Sequence, residues 1–146
     1  MKLVPIVPIM SDNPGFILNN IRCQEILAMQ VPYYKVIGFT QPWIGYFAIK
    51  DKRVVGTGGY KGAPKNQTVE IAYSTFPDFE GQGIGTEICY ALVELAQQTN
   101  ASIRITARTL PEWNASTRIL QKNQFVCLGS VIDPEDGEVW EWEHKT

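Results

Sequence analysis

The clearest pattern in the chain lies between Ile84 and Gln98, where Ile84, Ile88, Ala91, Leu92 and Leu95 recur at the spacing of a helix with one apolar face. Thr68–Thr75, just upstream, switches to a period of two. Glu70, Ala72 and Ser74 fall on one side and Ile71, Tyr73 and Thr75 on the other, as a strand requires. Trp43–Ile49 and Arg53–Gly59 flank Lys50-Asp51-Lys52 and read as a hairpin, with Gly62–Asn66 forming the next turn. Beyond the helix, Ser102–Ala107 reads as a strand and Ala115–Asn123 as a second helix carrying Ile119 and Leu120. Phe125–Ile132 and Val139–Glu143 read as strands around an Asp133–Gly137 turn. The N-terminal part is less regular. Lys2–Ile9 carries Pro5 and Pro8, which confine it to a sheet edge. After the turn and helix-start cluster Ser11–Gly15, residues Ile17, Ile21, Ile26 and Leu27 give a loose helical stripe. Val31–Pro42 fits either a short helix or a loop. The order predicts a mixed α/β domain, with a central, mainly antiparallel sheet of six or seven strands flanked by helices, in a single unit over residues 1–146.

Composition narrows the function classes. With 45% apolar and 19% charged residues the chain is of ordinary globular make-up. A formal net charge of −2 argues against nucleic acid, whose binders present a basic face. Met1–Pro5 is apolar but too short for a signal peptide, and no stretch approaches a membrane span. The three cysteines Cys23, Cys89 and Cys127 are widely separated and unpaired in spacing, so they are expected as reduced, mostly buried thiols in a cytoplasmic protein without a metal.

Glu80-Gly81-Gln82-Gly83-Ile84-Gly85-Thr86 is the candidate chemical motif, lying where a strand and short loop feed the helix. Glycines let successive amides point into one concavity, and a helix start adds free N–H groups and a favourable dipole, so the turn can hold an anion. The spacing alone also fits a purely structural turn. It lacks the lysine of a P-loop, and it follows an antiparallel run rather than the first strand of a βαβ unit.

The turn resembles the Arg/Gln-x-x-Gly-x-Gly/Ala signature of the GNAT superfamily of N-acetyltransferases. Glu70–Ser74 with Phe76-Pro77 upstream, and Ala107–Phe125 downstream, resemble the family's neighbouring segments in the same order. Gly137–Trp142 resembles the closing pattern of the branch that includes the ribosomal-protein N-terminal acetyltransferases. The likeness runs from about Trp43 to the end of the chain. It implies acetyl-coenzyme A as cosubstrate and no metal, with the acetyl group passing directly to a primary amine, either on a small molecule or at a peptide N-terminus. A homodimer is common among such relatives. The alternative is a non-catalytic acyl-coenzyme A-binding regulatory module.

By the same resemblance, Gln82, Gly83, Ile84, Gly85 and Thr86 would hold the pyrophosphate. The backbone around Tyr73, Ser74 and Thr75 would hold the pantetheine arm, and Asn114 would bond cofactor amides. Glu70 stands at the strand position of a family glutamate that acts as general base, often through water. Its structural alternative is a cross-strand pair. Ser116 matches a serine placed near the thiol, or else serves as a helix N-cap or first-turn residue. Arg118 and Lys122 can meet phosphates or form a solvated helix face. Tyr33, Tyr34, Trp43 and Tyr46 can wall an acceptor pocket or fill the core. His144, near the C-terminus, reads as solvated tail. Two positions depart from the family pattern. Glu80 replaces Arg or Gln and is expected to point away from phosphate, and Gln124 replaces a glycine and is expected in left-handed geometry.

Overall fold

A computed structural model describes residues 1–145. Seven strands form one sheet: β1 Lys2–Pro5, β2 Gly45–Lys50, β3 Arg53–Tyr60, β4 Thr68–Thr75, β5 Arg104–Thr109, β6 Phe125–Asp133 and β7 Gly137–His144. Their order is β1-β2-β3-β4-β5-β7-β6. Only β4 and β5 run parallel, and every other neighbouring pair is antiparallel. The helices are α1 Gly15–Leu18, α2 Ile21–Ile37, α3 Ile84–Thr99 and α4 Ala115–Lys122. This is the mixed α/β arrangement expected, with seven strands. Among the described residues no helix is long and apolar enough to cross a membrane.

Two apolar clusters cover the sheet. Ile84, Ile88, Leu92 and Ala96 of α3 pack with Val69 and Ile71 of β4 and with Ile105 of β5. Gly56 and Gly58 allow the helix to come this close: a Cβ at Gly58 would lie 2.5 Å from Ile88 Cγ2, and one at Gly56 would lie 2.9 Å from Ile88 Cδ1. A second cluster joins Ile17, Cys23, Leu27 and Val31 to Phe47 and Val54.

The N-terminal half corrects two expectations and resolves a third. β1 ends at Pro5 rather than Ile9. α2 runs straight through Pro32 to Ile37, so most of Val31–Pro42 is helix. Val31 and Tyr34 anchor the helix on either side of the proline, and the Tyr34 hydroxyl donates to the Tyr60 carbonyl at 2.6 Å. Gly38, at φ +105°, ends it with an amide bonded to Tyr34 O. The buried stripe is Cys23, Leu27, Val31 and Tyr34, not one through Ile21, which is 72% exposed. Met29 and Val36 are also exposed, so α2 is apolar on both faces and its sequence conceals which one packs.

In the C-terminal half β5 starts two residues later than Ser102, because Ser102 lies in the turn closed by Ile103 N to Asn100 O. Gln124 takes φ +68°, the left-handed geometry expected of the residue standing in for glycine. His144 is the last residue of β7 rather than a free tail, its ring against Phe125, and burial lowers its pKa. Cys127 is exposed on β6, contrary to the expectation of a buried thiol, whereas Cys23 and Cys89 are buried.

Candidate functional site

The site follows from how β4 and β5 separate. Their parallel ladder runs from Thr68↔Arg104 to Ile71↔Ala107 and stops. β5 continues along β7 to Thr109↔Trp140, while β4 continues along β3 to Thr75↔Gly56. From Ala72 to Thr75, β4 therefore has no ladder partner on its β5 side, and its backbone polar groups there face a gap. The start of α4 stands across that gap. Its N-cap is Asn114, whose side-chain oxygen accepts from the Thr117 amide at 3.1 Å, while Thr117 Oγ1 accepts from the Asn114 amide. Ser116 is therefore a first-turn residue and not the cap. The Tyr73 hydroxyl crosses the gap and donates to the Ser116 carbonyl at 3.1 Å, and burial raises its pKa strongly.

One cleft, of about 680 Å³, lies between the glycine turn, the open edge of β4 and α4. Tyr73, Ser74, Thr75, Gly83, Ile84, Gly85, Thr86 and Ser116 line it. Gly81 and Gly83 both take φ +77°, and Gly83 precedes α3 with no side-chain cap on the helix amides. A Cβ at either glycine would meet nothing within 4 Å, so the concavity is open. Gly85 has a different role. A Cβ there would lie 2.5 Å from Ile119 Cδ1, so this glycine lets α4 approach α3. Arg118 and Lys122, one turn apart on α4, line the same cleft and form no ion pair among the described residues. Glu80 stands on its rim with an exposed side chain.

Gln82 and Asn114 do not line this cleft. Gln82 lines a small depression with Lys50 and Arg53, and the Asn114 side-chain oxygen is taken by the cap while its amide nitrogen lies 3.5 Å from Glu112 Oε1. Sequence reasoning missed Phe79, Ala115 and Ile119, which line the cleft together with Gly81 of the glycine turn. The spacing of Ala115 and Ile119 with Arg118 and Lys122 on one helical face was the available signal.

A second cleft, of about 500 Å³, opens on the other side of the same strand segment and shares Tyr73 and Ser74 with the first. Glu70 and Lys61 lie in it, as do Tyr33 and Tyr34 of α2 and the β6–β7 turn, Asp133–Asp136. Trp43 and Tyr46 belong to the core instead. Lys61 Nζ is 2.6 Å from Glu70 Oε2, off the line of a hydrogen bond, so the oxygen is charge-paired without accepting one. Glu70 is thus the cross-strand pair of the structural reading, yet it also faces the cleft. Arg108 bonds Asp133 and Glu141. The amides of Glu135 and Asp136, and then Arg108, hold the Asp133 carboxyl below the usual range. Burial raises the Tyr33 pKa, with Lys61 opposing and Glu70 and Glu135 adding to the shift.

The cysteines stand apart from this chemistry. Burial pushes the Cys23 thiol up to about 11 and the Cys89 thiol up to about 12, which removes their nucleophilicity at neutral pH. Among the described residues no group of three or more His, Cys, Asp or Glu side chains could hold a metal ion.

The profile of the acetyltransferase (GNAT) domain family matches residues 23–126. The chain belongs to that family. A comparison with curated proteins finds no match. Among solved structures, the aminoglycoside acetyltransferase AAC(6')-Ib in complex with coenzyme A superposes with TM-score 0.68 at 18% identity, over 99% of this chain and 95% of that one. In its complex with ribostamycin and coenzyme A, the alignment spans 63% of that chain. RimL, a ribosomal L7/L12 α-N-protein acetyltransferase, matches with TM-score 0.68 at 14% identity, over 97% of this chain and 92% of its own. The ribosomal-protein-alanine N-acetyltransferase of Brucella melitensis matches with TM-score 0.68 at 13% identity over the whole of both chains.

Proposed function

We propose that the chain moves an acetyl group directly from acetyl-coenzyme A to a primary amine. The observation that carries this reading is the pair of clefts meeting at the unpaired edge of β4, one suited to a phosphorylated carrier and one to its acceptor. The cleft fits the carrier. Open amides at Gly83–Thr86 suit a pyrophosphate, Arg118 and Lys122 supply positive charge, and the free groups of Tyr73–Thr75 suit an amide-bearing arm. Solved relatives with acetyl-coenzyme A or coenzyme A bound support the same reading. Asn114 caps α4 through its side-chain oxygen, and neither it nor Gln82 lines the cleft.

In the reaction the neutral amine nitrogen attacks the thioester carbon, the carbon–sulfur bond breaks, and the amine's extra proton leaves as the thiolate gains one. Glu70 is the group that takes the amine proton. It sits three residues from Tyr73, roughly 10 Å along an extended strand, so it acts through water or on an amine reaching toward it rather than against the thioester itself. Ser116, exposed on the cleft wall, is the group proposed to return a proton to the thiolate. The Tyr73 hydroxyl is engaged with Ser116 O, and that bond holds α4 in place across the cleft.

The test is an amine panel incubated with acetyl-coenzyme A and read by thiol release. Release equal to the amide formed with at least one primary amine supports the proposal. Tight coenzyme A binding with no amine acetylated would overturn it in favour of a binding module, the reading to which the carboxylate of Glu80 on the cleft rim lends weight.

A further inference from the structure

Four carboxylates line the second cleft against a single lysine: Glu70, Asp133, Glu135 and Asp136 with Lys61. Two of them are neutralised in place, Glu70 by Lys61 and Asp133 by Arg108. Glu135 and Asp136 form no ion pair among the described residues. Their turn is fixed, because Asp133 Oδ1 accepts from both of their amides, at 2.9 and 3.1 Å. Tyr33 on α2, whose hydroxyl donates to the Lys61 carbonyl at 3.4 Å, lines the same cleft, which puts helix, strand and turn around one space. The ring of Tyr33 is substantially exposed and offers a face to a cation. A volume of about 500 Å³ suits a small molecule.

Resting on the acetyltransferase reading, we infer that the acceptor is a small di- or polyamine. One ammonium sits against Glu135 and Asp136 beside Tyr33, while a second amine, deprotonated, reaches toward Tyr73 and Ser74 for acetylation. The two uncompensated carboxylates reject an acceptor whose far end is anionic and gain little from one whose far end is apolar. Selection lies in acceptor binding, so it appears in KM for the acceptor and leaves acetyl-coenzyme A binding alone.

The test compares spermidine, 1,4-diaminobutane, butylamine and 4-aminobutyrate as acceptors, with an alanine-initiated peptide as a fifth. The diamine and spermidine are expected to exceed butylamine in kcat/KM by on the order of tenfold at low salt, the gap narrowing as salt screens the exposed carboxylates. The double variant Glu135→Gln/Asp136→Asn should raise KM for 1,4-diaminobutane about tenfold and leave butylamine within about twofold. Equal use of butylamine and diaminobutane, preference for 4-aminobutyrate, or preference for the peptide would overturn the inference. So would a double variant that keeps wild-type KM for the diamine. If no amine is acetylated, the acetyltransferase reading fails separately, and calorimetry with spermidine and coenzyme A-loaded protein decides the charge selection. Spermidine binding that the double variant loses supports it, and no spermidine binding overturns it.

Discussion

The cleft under the glycine turn takes its polar groups mainly from backbone: the amides that start α3 and the open edge of β4, with Arg118 and Lys122 adding positive charge. The cleft on the other side of Tyr73 takes them from side chains on separate elements, α2, β4 and the β6–β7 turn, and its uncompensated charge is negative. Backbone amides recognise one phosphate much as another, so the first cleft suits a carrier shared by many proteins. Side chains gathered from distant segments can change without disturbing the sheet, so the second suits an acceptor particular to this chain. The two charges also keep the partners apart, since an anionic carrier is repelled from the cleft that attracts a cationic amine.

The largest test of this division is Glu70→Gln, which removes the proposed base from the second cleft while keeping its shape. It should lower kcat on the order of 10²-fold or more with near-normal acetyl-coenzyme A binding. The loss should shrink at high pH, where more of the amine is already neutral. Wild-type turnover across pH would make Glu70 purely structural, the partner of Lys61, and would break the assignment of chemistry to that cleft.

Gly83→Val probes the other side. The residue sits at φ +77°, where a β-branched side chain is strained, and its Cβ projects into open space at the start of the helix amides. Coenzyme A affinity by calorimetry should fall on the order of tenfold or more, with the circular dichroism of the folded chain retained. Gly85→Val tells a different story, because its Cβ would press on Ile119 and should cost stability as well as affinity. Unchanged affinity for Gly83→Val would show that the turn is structural and that the comparison between the clefts has no functional content.

The same division explains what the sequence disclosed. α3 was legible because Ile84, Ile88 and Leu92 repeat on one face and the glycines sit directly before it, all within one short segment. Left-handed geometry at Gln124 was legible because the residue stands where the resembled family pattern has a glycine after the helix. α2 was not, since apolar residues surround it and Pro32 imitates a break that packing at Val31 and Tyr34 overrides. Asn114 with Thr117 three residues on is a capping pattern legible in the sequence, and in the fold the cap engages the Asn114 side-chain oxygen. The acceptor cleft was hidden for a deeper reason. Asp133–Gly137 reads as a turn and Tyr33 as an aromatic of uncertain place, and only the folded sheet sets Tyr33, Glu70 and Glu135 around one space.

The smallest expected effect concerns the one residue that blurs the contrast. Glu80 puts a carboxylate on the rim of the otherwise cationic cleft, where the family carries Arg or Gln. Its side chain is exposed, and Arg118 and Lys122 line the same cleft, so water and those cations screen it from a bound pyrophosphate. Exposed charges of this kind change binding little, and Glu80→Gln should raise coenzyme A affinity by no more than about threefold. The effect should also fade as salt is added, because a screened rim charge acts only through its long-range field. A gain of about tenfold or more that persists at high salt would place the carboxylate directly against phosphate. The cleft would then be one that opposes its own ligand, and the non-catalytic reading would gain at the expense of turnover.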